Sequence, residues 1–176
     1  MTVIRQEELR DYQLVSQVVE QAFRDVPESD HLESFLVERL RKSEAFLPEL
    51  SLVAEHGDGK IIGYVLLTKV EIISDDAVIP SLGVAPLAVL PEYQRKGIGG
   101  KLLLEAHRRA IRLGYNSAVL LGYKDYYSRF GYRCAADFGI RFPFDAPADC
   151  CMVAELCSGA LSGVHGCVHY DSAFFE

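Results

Sequence analysis

The chain has 176 residues, close to one domain at roughly 150 residues per domain, so a second domain is not expected. With 49% apolar and 24% charged residues it is neither disordered nor fibrous, and it can bury a core without disulfide staples. A formal charge of −7, from 18 Lys and Arg against 25 Asp and Glu, argues against a nucleic-acid partner and favours a cationic or amine partner.

Thr2 to Arg5 alternates as a short strand, and its charged neighbours MTVIRQEELR lack the apolar stretch of a secretory signal. No run approaches the roughly 18 apolar residues of a membrane span, so no membrane partner is expected and the location is read as cytoplasmic. From Gln6 onward, Tyr12, Val15, Val19 and Phe23 fall at helical spacing. Pro27, Ser29 and Asp30 punctuate the chain. Leu32, Phe35, Leu36, Val37 and Leu40 then predict a second helix ending near Arg41 and Lys42. Leu50 to Glu55 and Ile61 to Ile73 are rich in aliphatic and β-branched residues and flank Asp58-Gly59, which predicts an antiparallel hairpin.

Val78 to Leu90 continues as a strand interrupted by Pro80, Ser81, Gly83 and Pro86. A proline inside a strand removes a ladder donor, so the sheet should be open or irregular at Pro86. After a Gly-rich turn, Leu102, Leu103, Ala106, Ala110 and Ile111 give Ile98 to Leu113 an apolar helical face, stopped by Gly114. Ser117 to Leu121 reads as a buried strand, Tyr123 to Phe130 as a short helix or turn, and Gly131 to Cys134 as a strand. Strand, turn, helix, strand implies a right-handed crossover, hence one parallel pair in a mostly antiparallel α/β sheet. The remainder, with Pro143, Pro147, Gly159, Gly163 and Gly166, reads as strands joined by loops. The expected organisation is one domain, 1–176: a core over about 1–135 and C-terminal strands over about 136–176. Cys134, Cys150, Cys151, Cys157 and Cys167 form no C-x-x-C pair and read as buried thiols; no metal site is expected.

The chemistry concentrates in Pro91-Glu92-Tyr93-Gln94-Arg95-Lys96-Gly97-Ile98-Gly99-Gly100-Lys101. A strand ends, glycines turn the backbone, and a helix begins whose first N–H groups have no internal partner, which makes an anion site. Arg95, Lys96 and Lys101 add mobile positive charge. The dinucleotide pattern fails because its third glycine falls on Leu102. The Walker pattern fails because its first glycine falls on Arg95 and no hydroxyl follows Lys101.

What remains is Q-x-x-G-x-G at Gln94, Gly97 and Gly99. Here the sequence resembles the GNAT superfamily of acyl-CoA-dependent N-acyltransferases, whose diphosphate loop reads Q/R-x-x-G-x-G/A. About thirty residues on, Tyr127-Ser128-Arg129-Phe130-Gly131-Tyr132 resembles the family's Y-x-x-x-G-F/Y. Ser51 to Glu55, Pro86 to Val89, Tyr126-Tyr127 and Glu155-Leu156 ahead of Gly159-Ala160-Leu161 extend the likeness to a bacterial acetyltransferase subgroup and to most of the chain.

The resemblance implies a GNAT-like fold with helices on both sheet faces and a splay between the fourth and fifth strands. It implies that Gln94, Arg95, Lys96, Gly97, Ile98, Gly99 and Gly100 hold the diphosphate of acetyl-CoA, with no metal. Leu87, Ala88 and Val89 would offer backbone groups to the pantetheine arm, and one of their N–H groups would hold the thioester oxygen. Tyr127 would be the general acid for the departing thiolate. A pKa near 10, above the roughly 8.5 of a thiol, keeps its phenol protonated, so geometry must supply the rest. Tyr126 competes for that place, its side chain turned about 100° away on a helix.

Ser81 to Leu90 holds no Asp, Glu or His, so a general base must lie elsewhere. Glu71 heads the candidates, with Asp75, Asp76, Glu28, His31 and Glu33 behind it. The acceptor would be a small-molecule or peptide amine. A non-catalytic acyl-CoA sensing module is the alternative, and exposed C-terminal strands permit a homodimer. His165 and His169 have metal-ligand spacing only on a helix, which Gly163 and Gly166 oppose. His107 lies in the long helix with no partner legible in the sequence.

Overall fold

The computed structural model describes residues 1–176. Nine strands form one sheet: β1 (Thr2–Gln6), β2 (Ser51–His56), β3 (Ile61–Ile73), β4 (Val78–Val89), β5 (Ser117–Leu121), β6 (Tyr132–Cys134), β7 (Ile140–Arg141), β8 (Cys151–Glu155) and β9 (Gly166–His169). Four helices accompany them: α1 (Tyr12–Phe23), α2 (Glu33–Arg41), α3 (Ile98–Arg112) and the single turn α4 (Lys124–Tyr127). No helix is long and apolar enough to cross a membrane.

The spatial order is β1-β2-β3-β4-β5-β8-β6, while β9 pairs with the far half of β3 and β7 pairs with β9. Pairing is antiparallel except for β4 with β5 and β7 with β9. The C-terminal strands are therefore woven in: β8 sits between β5 and β6. The β2–β3 hairpin closes where expected, with Gly59 at φ +86° and its N–H donating to the His56 carbonyl at 2.8 Å.

α1 begins later than its apolar spacing predicts, at Tyr12. Asp11 accounts for the delay, since its carboxylate accepts the Glu8 N–H at 2.8 Å and N–H groups from the two terminal Arg5 guanidinium nitrogens, at 2.7 and 3.0 Å, fixing a turn first.

Successive side chains of β3 point to opposite faces. The odd positions face α3, because a Cβ at Gly63 would meet the Leu102 and Ile98 side chains. The even positions face α2, through the buried chain Tyr64 Oη, Ser51 Oγ, Glu7 and Arg41. Leu66, Leu67, Leu102 and Leu103 are fully buried, each contributing about 1.5–3 kcal/mol of hydrophobic stabilisation. A second, smaller core of Val70, Ile72, Val119, Ile140, Val153 and Val168 lies on the even face, where residues 135–175 wrap the sheet.

Candidate functional site

β4 and β5 are paired only at Leu82 with Ala118 and Gly83 with Val119. Beyond Gly83 the β4 edge meets no strand. A bulge falls at the same place: β3 advances two residues, Val65 to Leu67, while β4 advances three, Val84 to Leu87. The irregularity expected at Pro86 is thus present.

Backbone direction along the open edge follows from one bond. The Leu90 N–H donates to the Ile62 carbonyl at 2.9 Å, so Leu90 and Ala88 turn their polar groups to β3. Leu87 and Val89, in alternation, turn theirs into the gap. Ala88 therefore corrects the expectation for Leu87 to Val89: its backbone belongs to the ladder with Tyr64, and its side chain is buried on the other face. Gln94 ties the loop to this edge, its side-chain amide donating to the Val89 carbonyl at 3.0 Å.

The loop leads into α3 through Arg95 at φ +62° and Gly97 at φ +82°, where glycine adopts without cost what a side chain resists. No main-chain N–H from Arg95 to Gly100 donates to a main-chain carbonyl. The first that does is Lys101, to Gly97 at 3.1 Å. A run of bare donors thus sits at the positive end of a 15-residue helix. Close approach explains two further glycines. A Cβ at Gly99 would stand 2.5 Å from Tyr126 Oη, and one at Gly100 would stand 3.0 Å from the Phe130 ring.

These elements enclose a cavity of about 740 Å³. Leu87, Val89, Gln94, Arg95, Gly97, Ile98, Gly99, Gly100 and Tyr127 all line it. Lys96 does not; its ammonium lies 5.4 Å from the Tyr93 ring, outside the walls. Sequence reading missed Tyr93, Leu104, Arg129 and Phe130. Arg129 and Phe130, three and four residues past Tyr126, were legible as a helical face. Arg95, Lys101 and Arg129 are the charged walls, and no carboxylate joins them. In a chain of net charge −7 that asymmetry is suited to an anion.

Tyr127 ends α4 with its ring against Gly122, edge-on to Tyr126 at 4.9 Å and to Tyr132 at 5.9 Å. Its hydroxyl makes no hydrogen bond within the chain, and burial pushes the phenol up from its ordinary range. Tyr126 also lines the cavity, its phenol raised by burial, with the Arg129 guanidinium 4.6 Å from its ring. His107 finds its partner in Tyr132, Nε2 to Oη at 2.7 Å, and burial pushes it down to about 4.

Glu71 lies elsewhere. It pairs with Pro80, seven residues before Leu87 on β4 and so about 23 Å away at roughly 3.3 Å per residue. There it lines a cavity of about 450 Å³ with Glu44, Lys69, His169 and Tyr170, and the span along β4 removes it as a base for direct proton transfer at Leu87. Asp75 and Asp76 sit farther still, in the β3–β4 turn. His31 and Glu33 line a third cavity, with Glu20 and Arg24. Glu28 alone reaches the opening, where its carboxylate accepts the Tyr123 hydroxyl at 2.7 Å just past β5. That bond holds its carboxyl below the usual range.

An elongated ligand with an anionic end and amides in its arm fits these residues: bare N–H groups and cations for the anion, a free strand edge for the amides. Comparison with known proteins points the same way. The uncharacterized N-acetyltransferase YhbS of Escherichia coli is 37% identical over 147 residues, 84% of this chain and 85% of its own. The chain belongs to the GNAT acetyltransferase family. A profile described as an acetyltransferase (GNAT) domain matches residues 48–134. The crystal structure of the GNAT protein YhbS from E. coli in complex with CoA superposes with a TM-score of 0.88 at 31% identity, covering 99% of this chain and 92% of that one. A GNAT acetyltransferase from Brucella melitensis in complex with acetyl-CoA gives 0.80 at 33% identity, covering 99% and 98%. The GNAT fold accounts for the mixed sheet with its parallel β4–β5 step and open edge.

Proposed function

We propose that this GNAT chain transfers an acetyl group from acetyl-CoA to a primary amine within a ternary complex. One observation carries the reading: unpaired N–H groups from Arg95 to Gly100 open into a cavity whose only charged walls are cations, beside an unpaired strand edge. Binding of CoA and acetyl-CoA by the two similar structures supports it.

The loop amides, with Arg95, Lys101 and Arg129, bind the diphosphate. Leu87 and Val89 receive the pantetheine amides as a sheet edge receives a peptide, and an N–H on this edge steadies the thioester oxygen as charge develops. The thioester supplies the electrophile. Tyr127 donates its proton to the leaving sulfur, and its freedom from hydrogen bonds inside the chain leaves that proton available. The attacking amine gives up its proton to water, and water reprotonates Tyr127. A module that only sensed acyl-CoA would need no free phenol at that wall.

Thiol release from acetyl-CoA with a panel of primary amines tests the reaction, and calorimetric titration of CoA tests the site. Release that depends on an amine is expected. Folded protein giving no heat with millimolar CoA would overturn the reading.

A further inference from the structure

We propose that the acceptor is a primary amine carried on an aromatic or similarly bulky apolar group, received by a wall of rings centred on Tyr170 on the sheet face opposite the donor cavity. The proposal rests on the transferase reading and adds the acceptor class.

The donor cavity occupies the α3 side of the sheet, so the nucleophile must reach the open β4 edge from the other side. On that side the last paired step is Gly83 with Val119. The Tyr170 ring lies in the place of a Gly83 side chain, with Cε1 3.1 Å from where a Cβ would stand. Rings then lead outward. Phe174 meets Tyr170 edge-on at 4.7 Å, Phe144 lies 4.9 Å from it, and Phe175 stacks on Phe144 at 5.5 Å and 30°. Phe175 is 57% exposed, so the aromatic surface runs from solvent to the sheet at the splay. Such a surface takes up apolar carbon and attracts an ammonium over its ring faces.

Glu28 completes the chemistry. The α1–α2 segment spans the opening to Tyr123, just past β5, and presents an ionised carboxylate there. It draws a cationic amine to the mouth while the rings select its skeleton. Polyamines and lysine side chains would satisfy the carboxylate and leave the aromatic wall in water.

The test compares 2-phenylethylamine with 1,4-diaminobutane, ethanolamine and a lysine peptide in the thiol-release assay. The expected kcat/KM for 2-phenylethylamine exceeds the others by about tenfold or more. Tyr170→Ala should remove most of that ratio while the acetyl-CoA KM stays put, and Tyr170→Phe should restore it. Phe175→Ala, at an exposed position that does not threaten folding, should cut the ratio severalfold. Glu28→Gln should raise the KM of every amine and leave the ratio alone. Equal or inverted preference in the wild type, or a preference unmoved by both alanine variants, would overturn the proposal and leave the transferase reading standing. If no amine turns over, 2-phenylethylamine is titrated into the CoA-saturated protein. Heat that is lost in Phe175→Ala then upholds the subsite and rejects the transferase reading, whereas no heat rejects the subsite.

Discussion

Tyr127 is packed by Gly122, Tyr126 and Tyr132, and its hydroxyl is bonded to none of them. Tyr127→Phe therefore keeps the packing and removes the proton. Turnover should fall by about 10²–10⁴-fold with CoA affinity nearly unchanged, read by thiol release and calorimetry. Because burial raises this phenol, its proton is present throughout neutral pH, and Tyr127 ionisation should not limit the rate below about pH 10. Thr68 offers a contrasting case. Fully buried opposite Gly83, its Oγ1 has no hydrogen-bond partner, so Thr68→Val should raise stability by about 1 kcal/mol in thermal unfolding. Tyr127 was legible because its place is written in local spacing to Gly131. Tyr170 was not, because its place depends on an absent side chain at Gly83, remote in sequence.

Element boundaries depended on side chains that rewrite the local backbone. Apolar spacing located α1 but not its start, which Asp11 sets. Arg5 hydrogen-bonds Asp11 and holds its carboxyl below the usual range, so the stabilisation is present above the unfolded value of about 3.9 and lost as pH falls through the folded one. Asp11→Asn should cost about 1–3 kcal/mol at pH 7, and denaturation below pH 4 should show a flatter acid decline than in the wild type. At the start of α3, Gly99→Ala would drive a Cβ onto Tyr126 Oη, 2.5 Å away. Displacing that wall should weaken CoA binding roughly tenfold in calorimetry with little change in melting temperature. Pro86 marked the β4 irregularity in advance, since a missing donor is a local property. Which of Leu87, Ala88 and Val89 face the gap was hidden, because alternation is set by register with β3.

Across the whole molecule, ligand binding should register as stability. At a hundredfold excess over Kd, CoA contributes about 2.7 kcal/mol, worth roughly 5–10 °C for a chain of this size. A thermal melt with CoA that moves by less than a degree would count against the loop as its site. Sequence reading recovered the fold class, the glycine turn into α3 and one parallel step, all of which depend on periodicity and glycine spacing. It misplaced Glu71, because only the β3–β4 register shows that its rung lies far from Leu87.

Two rungs join β4 to β5, at Leu82–Ala118 and Gly83–Val119, and no others do. The sheet thus behaves as two blades meeting at one end, their opening angle governed by what is packed on each side rather than by main-chain bonds. Ala118 and Val119, both fully buried, act as the shim that fixes the width of the slot.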